Sequence, residues 1–90
     1  MCTKSIDVVA LRVAEICKKK GWGLGWSGGG CYLLLESAEF IESLRGKGDD
    51  PPVEEAADVL FMLLGMLATH GIPPSEALEA LDRKCDAMQE

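Results

Sequence analysis

Hydrophobic residues recur at largely helical spacing from Ser5 to Lys20, the first of four such segments. The apolar positions there are Ile6, Val9, Leu11, Val13, Ile16 and Cys17. Positions three and four apart lie on one side of a helix, so this segment is predicted to be helical. Ser5 or Thr3 is the expected cap. Lys18 to Lys20 suit the negative C-terminal end of the helix dipole, and Gly21 ends the helix.

A glycine-rich loop carrying both tryptophans is predicted next, from Gly21 to Gly30, followed by a second helix from Cys31 to Leu44. Gly23, Gly25 and Gly28 match the glycine spacing of a dinucleotide-binding turn. That turn follows a strand, whereas here a helix precedes it, so we reject the match. The tryptophans are expected to pack over the end of the helices, with stacking on a planar ligand as the alternative.

The third predicted helix, from Pro51 to His70, is apolar almost all round, which indicates a helix surrounded by other elements. Asp50 is the predicted cap, with Pro51 at the first helical position. A fourth, amphipathic helix is predicted from Pro74 to Met88. No segment alternates as a strand does. The pattern therefore predicts an all-α fold, a small four-helix bundle in a single domain over residues 1–90, completed by oligomerisation.

Composition and charge narrow the possible partners. The net charge of −6 argues against a nucleic-acid polymer or an anionic membrane as partner. Hydrophobic residues make up 48% of the chain, which is generous for a small monomer and favours self-association. The longest apolar run, Val59 to Ala68, is about half of the roughly 20 residues that span a bilayer. The cysteines are scattered and no signal-peptide pattern opens the chain, so reduced thiols and a cytoplasmic location are expected.

Two pairs of acidic residues lie inside this oily sequence. Glu36 and Glu39 lie in the second predicted helix, and Glu55 and Asp58 lie in the third. Residues three apart share a helix face, so each pair presents two carboxylates side by side. Burying ionised carboxylates costs several kcal/mol unless they are paired or bind a metal. An all-oxygen site without histidine suits a hard cation such as Mg²⁺.

Spacing alone does not distinguish these pairs, because Glu76, Glu79 and Asp82 also lie three apart on a face that should be solvated. Only the apolar context of the first two pairs sets them apart. The single histidine, His70, follows Leu67 by three residues, which argues against the Glu-x-x-His arrangement of di-iron bundles. It also leaves no credible Ser/His/Asp set.

The order of the two acidic pairs resembles the signature of the MazG-like nucleotide pyrophosphohydrolases, the all-α NTP pyrophosphatase superfamily. That signature is E-x-x-E followed by E-x-x-D. Here the second motif begins after an interval of fifteen residues, and the flanks also match in kind: KKGW, LLLESAEFIESLRGKG and EEAADVLFMLLGMLATHGI. The resemblance extends from about Val13 to Lys84.

The resemblance implies a cofactor, a reaction and an assembly. The metal ligands and catalytic residues would be Glu36, Glu39, Glu55 and Asp58, holding Mg²⁺ or alternatively Mn²⁺. The enzyme would cleave a (deoxy)nucleoside triphosphate to the monophosphate and pyrophosphate, as part of nucleotide-pool house-cleaning. Relatives assemble as dimers or tetramers, so a homodimer or a dimer of dimers is expected.

Substrate contacts are expected from cations and one tryptophan. Relatives commonly carry a lysine in the last helix, and Lys84 falls at about that position. Arg45 and Lys47 are further candidates for phosphate contacts, although as surface cations at helix ends they need no such role. Trp26 is the candidate for stacking on the substrate. The chain departs from many relatives at Leu35, where they have a second glutamate, and in lacking the asparagine and arginine that often follow the last-helix lysine.

Two other functions are compatible with the sequence. One is a pyrophosphohydrolase for a different phosphoanhydride, such as a phosphoribosyl-ATP-like substrate. The other is a helical interaction module without catalysis, in which the acids are a leftover or form a regulatory metal site. Neutralising unused buried acids should raise stability, whereas neutralising metal ligands should abolish metal-dependent stabilisation.

Overall fold

The computed structural model describes residues 5–89, which form four helices joined by short loops. The helices are α1 (Ile6–Lys20), α2 (Trp26–Leu44), α3 (Pro52–Thr69) and α4 (Pro74–Gln89). No strand occurs within this range. The prediction of an all-α fold is confirmed. Thr3, one of the two expected caps of α1, lies outside the described residues.

The first helix has the predicted bounds but not the predicted cap. The Ser5 side chain makes no capping hydrogen bond within residues 5–89. At the other end, Gly21 has a φ of 69°, and its N–H donates to the Lys18 carbonyl while that of Trp22 donates to the Cys17 carbonyl. This left-handed turn favours glycine, which has no Cβ to clash. It directs the following loop back across the end of α1.

The second helix begins at Trp26, five residues before the predicted start, so the predicted loop from Gly21 to Gly30 is wrong in its second half. Glycine disfavours a helix by about 1 kcal/mol relative to alanine, which is why the glycine run indicated a loop. Packing overrides this preference. Gly29 is buried so closely that an added Cβ would lie 2.9 Å from Met66 Cγ and 3.2 Å from the Leu24 carbonyl carbon.

The third helix begins one residue later than predicted, because Pro51 is its cap and Pro52 its first helical residue. The residue before a proline is disfavoured in the helical conformation. Pro51 therefore stays extended, with φ −68° and ψ 155°. Asp50, the predicted cap, lies one position before the observed cap.

Helix α3 is the central element, against which both α1 and α2 pack. No Cα atom of α1 lies within 8 Å of a Cα atom of α2. Helix α4 turns away from α3 by 111° and is tied to α1 at its start, where the Ser75 N–H donates to Asp7 Oδ1 at 2.9 Å. The described chain is therefore an open arrangement of helices rather than a closed bundle.

The core is small and lies between α1, α3 and the first loop. Its buried apolar members are Ala10, Val13, Cys17, Leu24, Met62 and Leu64. Many large apolar side chains remain exposed on all four helices, among them Leu11, Leu34, Ile41, Leu60 and Leu81. Hydrophobic residues are thus plentiful in the chain, but a single copy buries few of them.

The cysteines in residues 5–89 are free thiols, namely Cys17, Cys31 and Cys85. Burial raises the pKa of the Cys17 thiol. Cys2 lies outside the described residues.

None of the helices in residues 5–89 is by itself long and apolar enough to cross a membrane. Only when α3 and α4 are taken together, across their 111° bend, do they have the length and apolar composition of a membrane-spanning segment.

Candidate metal centre

Three carboxylates from two helices converge where α2 packs along α3. Glu36, Glu39 and Glu55 each offer an oxygen, and these oxygens all lie within 4.8 Å of one another. Glu36 and Glu39 share a face of α2 because they are three residues apart. Glu55 lies near the start of α3, where it meets that face. The sequence pattern and the helix pairing together therefore build the cluster.

Two of these side chains are withdrawn from solvent without a partner. Glu55 is only 9% exposed, and Glu36 is half-buried. The Oε2 atoms of both residues are buried and have no hydrogen-bond partner within residues 5–89. A buried acceptor without a partner is costly, and a buried carboxylate oxygen more so. These two oxygens therefore indicate a ligand that supplies positive charge.

The electrostatics of the cluster point the same way. Burial raises the pKa of Glu36, and the nearby charges of Glu39, Asp58 and Glu55 raise it further. Burial likewise raises the pKa of Glu55, with added contributions from Glu39, Asp50 and Asp58. Without a counter-charge, these carboxylates disfavour one another's ionised form. Oxygen donors without histidine fit a hard divalent cation, so the residues present suit Mg²⁺ or Mn²⁺.

Asp58 lies beside this cluster but outside the group of three. Its side chain is exposed, and its charge is close enough to raise the pKa of both Glu36 and Glu55. Asp58 and Glu36 also line the same open pocket, of about 700 Å³. All four acids singled out from the sequence therefore lie in one region, and three of them converge on one point.

The predicted phosphate-contacting cations are placed unequally. Lys47 lines a second pocket, of about 350 Å³, together with Glu39 and Glu55. Arg45 instead pairs with Glu42 at 2.9 Å on the surface. Lys84 is exposed on α4 and lines neither of the two pockets that the acidic residues border. One chain therefore brings Lys47 to the site, and neither Arg45 nor Lys84.

Of the two tryptophans, Trp22 rather than Trp26 borders the acidic site. Trp22 lines the larger pocket with Glu36 and Asp58. Trp26 lies in the first turn of α2, is 79% exposed, and does not line that pocket. The sequence analysis considered stacking for both tryptophans and named Trp26 as the candidate for contact with the substrate. The early start of α2, which the glycine run concealed, accounts for the exposure of Trp26.

Asp50 is a site residue that the sequence did not reveal. It lines the smaller pocket, and its carboxyl group lies close enough to Glu55 to raise the pKa of that residue. The available signal was the acidic pair Asp49 and Asp50, five residues before Glu55. The proline that follows directed attention to helix capping instead.

An all-α chain with carboxylates converging from two packed helices has the architecture of the MazG-like NTP pyrophosphatase superfamily. A comparison with known families places the chain within it. The family model for phosphoribosyl-ATP pyrophosphohydrolase matches residues 32–85, and the chain belongs to that family. The match spans both acidic pairs. No curated protein and no solved structure matches the chain.

Family membership confirms the resemblance to the MazG-like superfamily and indicates the general chemistry. The chain is a pyrophosphohydrolase, an enzyme class that acts on phosphoanhydrides and is typically metal-dependent. The acidic cluster provides a possible place for that metal.

Proposed function

We propose that the protein hydrolyses (deoxy)nucleoside triphosphates to nucleoside monophosphate and pyrophosphate, with Mg²⁺ as cofactor and Mn²⁺ as the alternative. The role we assign to this activity is house-cleaning of the nucleotide pool, within a single domain over residues 1–90. One observation carries the proposal. The buried, unpartnered oxygens of Glu36 and Glu55 lie in an acidic cluster that opens on a pocket of about 700 Å³. That volume is in the range of small-molecule sites.

The proposed reaction attacks the α-phosphorus. A water oxygen bonds to that phosphorus, the bond from it to the bridging α–β oxygen breaks, and pyrophosphate leaves with the bonding electrons. One of the four acids Glu36, Glu39, Glu55 and Asp58 accepts the proton that the water loses. A divalent cation bound by these acids supplies positive charge against the phosphates and the leaving group. We assign Lys47 a contact with a phosphate oxygen; its support is that Lys47 lines the smaller pocket together with Glu39 and Glu55.

A second candidate substrate is phosphoribosyl-ATP, which the family match favours. Loss of pyrophosphate from this nucleotide breaks the same kind of α–β bond, so the acidic cluster serves either substrate. The two differ in the additional phosphorylated ribose, which requires room and positive charge beyond the triphosphate. The two candidates are therefore distinguished by comparing the rates at which the protein hydrolyses each substrate.

We further propose that the active form is a homodimer or a dimer of dimers. Exposed apolar side chains on all four helices support this, because a single copy leaves them without cover. In such an assembly Lys84 of one subunit, which is exposed on α4, is free to contact the phosphates bound by another. We keep Arg45 as a candidate for a phosphate contact, since its ion pair with Glu42 uses only the Nη1 nitrogen of the guanidinium.

The experiment is a product assay. The protein is incubated with ribo- and deoxyribonucleoside triphosphates and with phosphoribosyl-ATP, with and without Mg²⁺, and the products are identified by phosphorus NMR. We expect monophosphate plus pyrophosphate, only with the cation. Faster turnover of phosphoribosyl-ATP than of every triphosphate would select the second candidate. Diphosphate plus phosphate, or no turnover of any substrate, would overturn the proposed reaction.

A further inference from the structure

The larger pocket joins the acidic cluster to a group of aromatic side chains. Glu36 and Asp58 form one part of its lining, and Trp22, Tyr32 and Phe61 form another. Leu24 and Met62 complete most of the apolar wall. A ligand whose phosphates lie at the carboxylates therefore has a planar, apolar surface within reach in the same cavity.

Trp22 contacts two neighbouring side chains although half of it is exposed. Its ring meets that of Phe61 edge to face, with centroids 6.3 Å apart and planes at 78°. The Lys20 ammonium lies 5.1 Å from the centroid of the Trp22 ring. Trp22 is nevertheless 50% exposed and Tyr32 58% exposed. An indole that packs against two neighbours and stays open to solvent loses less conformational entropy than an unpacked one when a flat ligand stacks on it.

We propose that this pocket is a nucleobase site, with Trp22 as the stacking surface for the ring of the substrate. The inference rests on the proposed function and adds to it the position and manner of base binding. The occupant is a purine or pyrimidine ring attached through its sugar to phosphates at the acidic cluster. This holds for both candidate substrates, since each carries a base.

The lining also determines how selective the site is. Apart from the two acids, the lining side chains carry few polar groups, the Tyr32 hydroxyl and the Trp22 indole N–H. Stacking tolerates different rings because every base has a π-face, whereas discrimination between bases requires hydrogen-bond partners. Turnover of the four common bases should therefore differ by no more than about tenfold in kcat/KM, because stacking dominates recognition.

The two tryptophans give a direct test by fluorescence. In Trp26→Phe, Trp22 is the sole tryptophan, and in Trp22→Phe, Trp26 is the sole tryptophan. Each variant is titrated with AMP and CMP in the presence of Mg²⁺, and with ribose 5-phosphate as a probe without a base. We expect saturable quenching by both nucleotides in Trp26→Phe and none by ribose 5-phosphate. The Trp22→Phe variant should show no quenching by any of the three.

Kinetics provide a second readout. We expect Trp22→Leu to raise KM for ATP and CTP by roughly 10-fold, within the range of stacking contributions, with little change in kcat. The inhibition constant of inorganic triphosphate, which has no base, should not change, and this outcome excludes a folding defect. Trp22→Phe should recover most of the loss in KM, because phenylalanine keeps an aromatic face.

The outcomes separate the two proposals. Quenching of Trp22 by nucleotides without turnover of any substrate would overturn the proposed reaction and leave the base site standing. Turnover without quenching, or equal quenching by ribose 5-phosphate, would overturn the base site and leave the reaction standing. Quenching of Trp26 in place of Trp22 would likewise overturn our assignment of the stacking residue.

Discussion

Single residues in the acidic cluster affect both the stability of the protein and its binding of a cation. Glu55 is nearly buried and carries an oxygen without a hydrogen-bond partner in the described chain. Such a group lowers the stability of the metal-free fold while providing a strong ligand for a cation. Replacing it should therefore move stability and activity in opposite directions, which a merely structural role would not do.

We predict that Glu55→Gln raises the thermal stability of the metal-free protein, removes the stabilisation by Mg²⁺, and lowers kcat/KM by at least about 100-fold. The amide keeps the size of the side chain and removes the buried negative charge. Thermal melts with EDTA or Mg²⁺, together with a pyrophosphate-release assay, measure all three effects.

The matched control is Glu76→Gln, since Glu76 has the same acidic spacing within the exposed part of α4. This variant should keep wild-type activity and the full shift in melting temperature caused by Mg²⁺. If Glu55→Gln retains the Mg²⁺ shift, or if both variants lose activity equally, Glu55 does not have the assigned role.

A pH dependence follows from the raised pKa values of Glu36 and Glu55. In the metal-free protein the folded state holds these protons more tightly than the unfolded state. Their contribution to stability is therefore greatest at low pH and is lost as the pH rises from about 4.5 through the raised values. Mg²⁺ displaces the protons, so its stabilising effect should grow over the same interval.

Urea denaturation in EDTA and in Mg²⁺, at pH 5 and pH 7.5, measures this dependence. Subtracting the same curves for a double variant, Glu36→Gln with Glu55→Gln, removes the contribution of the other acids. We expect the wild type to lose stability relative to the double variant between pH 5 and pH 7.5 in EDTA. A relative gain would contradict the raised pKa values.

At the level of elements, the fold depends on one interlocking contact between a loop and two helices. Leu24 is buried against Gly29 of α2 and Gly65 of α3. A Cβ on Gly65 would collide with Leu24 Cδ1 and would lie 3.5 Å from Val13 Cγ1. This contact fixes the short loop that carries Trp22, so it also positions the aromatic side of the larger pocket.

We predict that Gly65→Ala destabilises the protein by about 1–3 kcal/mol, because overpacking outweighs the gain in helix propensity. The matched control is Gly28→Ala in α2, where an added Cβ would meet nothing within 4 Å. This change should stabilise the protein by up to about 1 kcal/mol. Chemical denaturation measures both free energies of unfolding. A stabilising Gly65→Ala would show that Leu24 does not pack as described.

The same contact explains how far the sequence could predict the elements. Helix α1 and the late part of α3 have regular apolar spacing and clear ends at Gly21 and His70, so their bounds follow closely from the sequence. The start of α2 did not, because glycine propensity is a local signal. The burial of Gly29 is a tertiary contact that no local pattern reports.

Some features of the candidate site could likewise be predicted from the sequence, and others could not. The acidic pairs are visible in the sequence because carboxylates within apolar runs require an explanation. The nearness of Asp50 to Glu55 and the choice of Trp22 over Trp26 both depend on how loops fold back onto helices. The surroundings of Arg45 depend on how α2 ends, and those of Lys84 depend on the direction in which α4 leaves α3. Neither is encoded in the local sequence.

At the level of the whole molecule, the described chain is more open than a compact monomer. Its radius of gyration is 14.5 Å, against about 12 Å for a compact chain of this length. Its accessible surface is 6846 Å², against roughly 5,100 Å² for a folded monomer of this size. The excess is about 1,700 Å² for one chain, roughly twice the ~800 Å² that each partner buries in a standard protein–protein interface. Both quantities support the proposed assembly.

We predict that the protein sediments as a dimer or tetramer at micromolar concentration. Leu34 and Ile41 lie one heptad apart on α2 and are more than half exposed, so they should be covered in the assembly. Leu34→Glu should therefore shift the distribution towards monomer in sedimentation velocity. Arg83→Glu, at an already polar position of α4, is the control. A wild-type monomer at tens of micromolar would contradict the proposed assembly.

The most direct test of the central claim, that the acidic cluster binds a divalent cation, is a Mn²⁺ titration followed by electron paramagnetic resonance. Free Mn²⁺ gives a strong signal that is lost on binding. We predict that metal-free wild-type protein depletes this signal saturably, that Mg²⁺ restores it by competition, and that Glu55→Gln leaves it close to the protein-free level. Equal depletion by wild type and Glu55→Gln, or no depletion by either, would contradict the cation site formed by Glu36, Glu39 and Glu55.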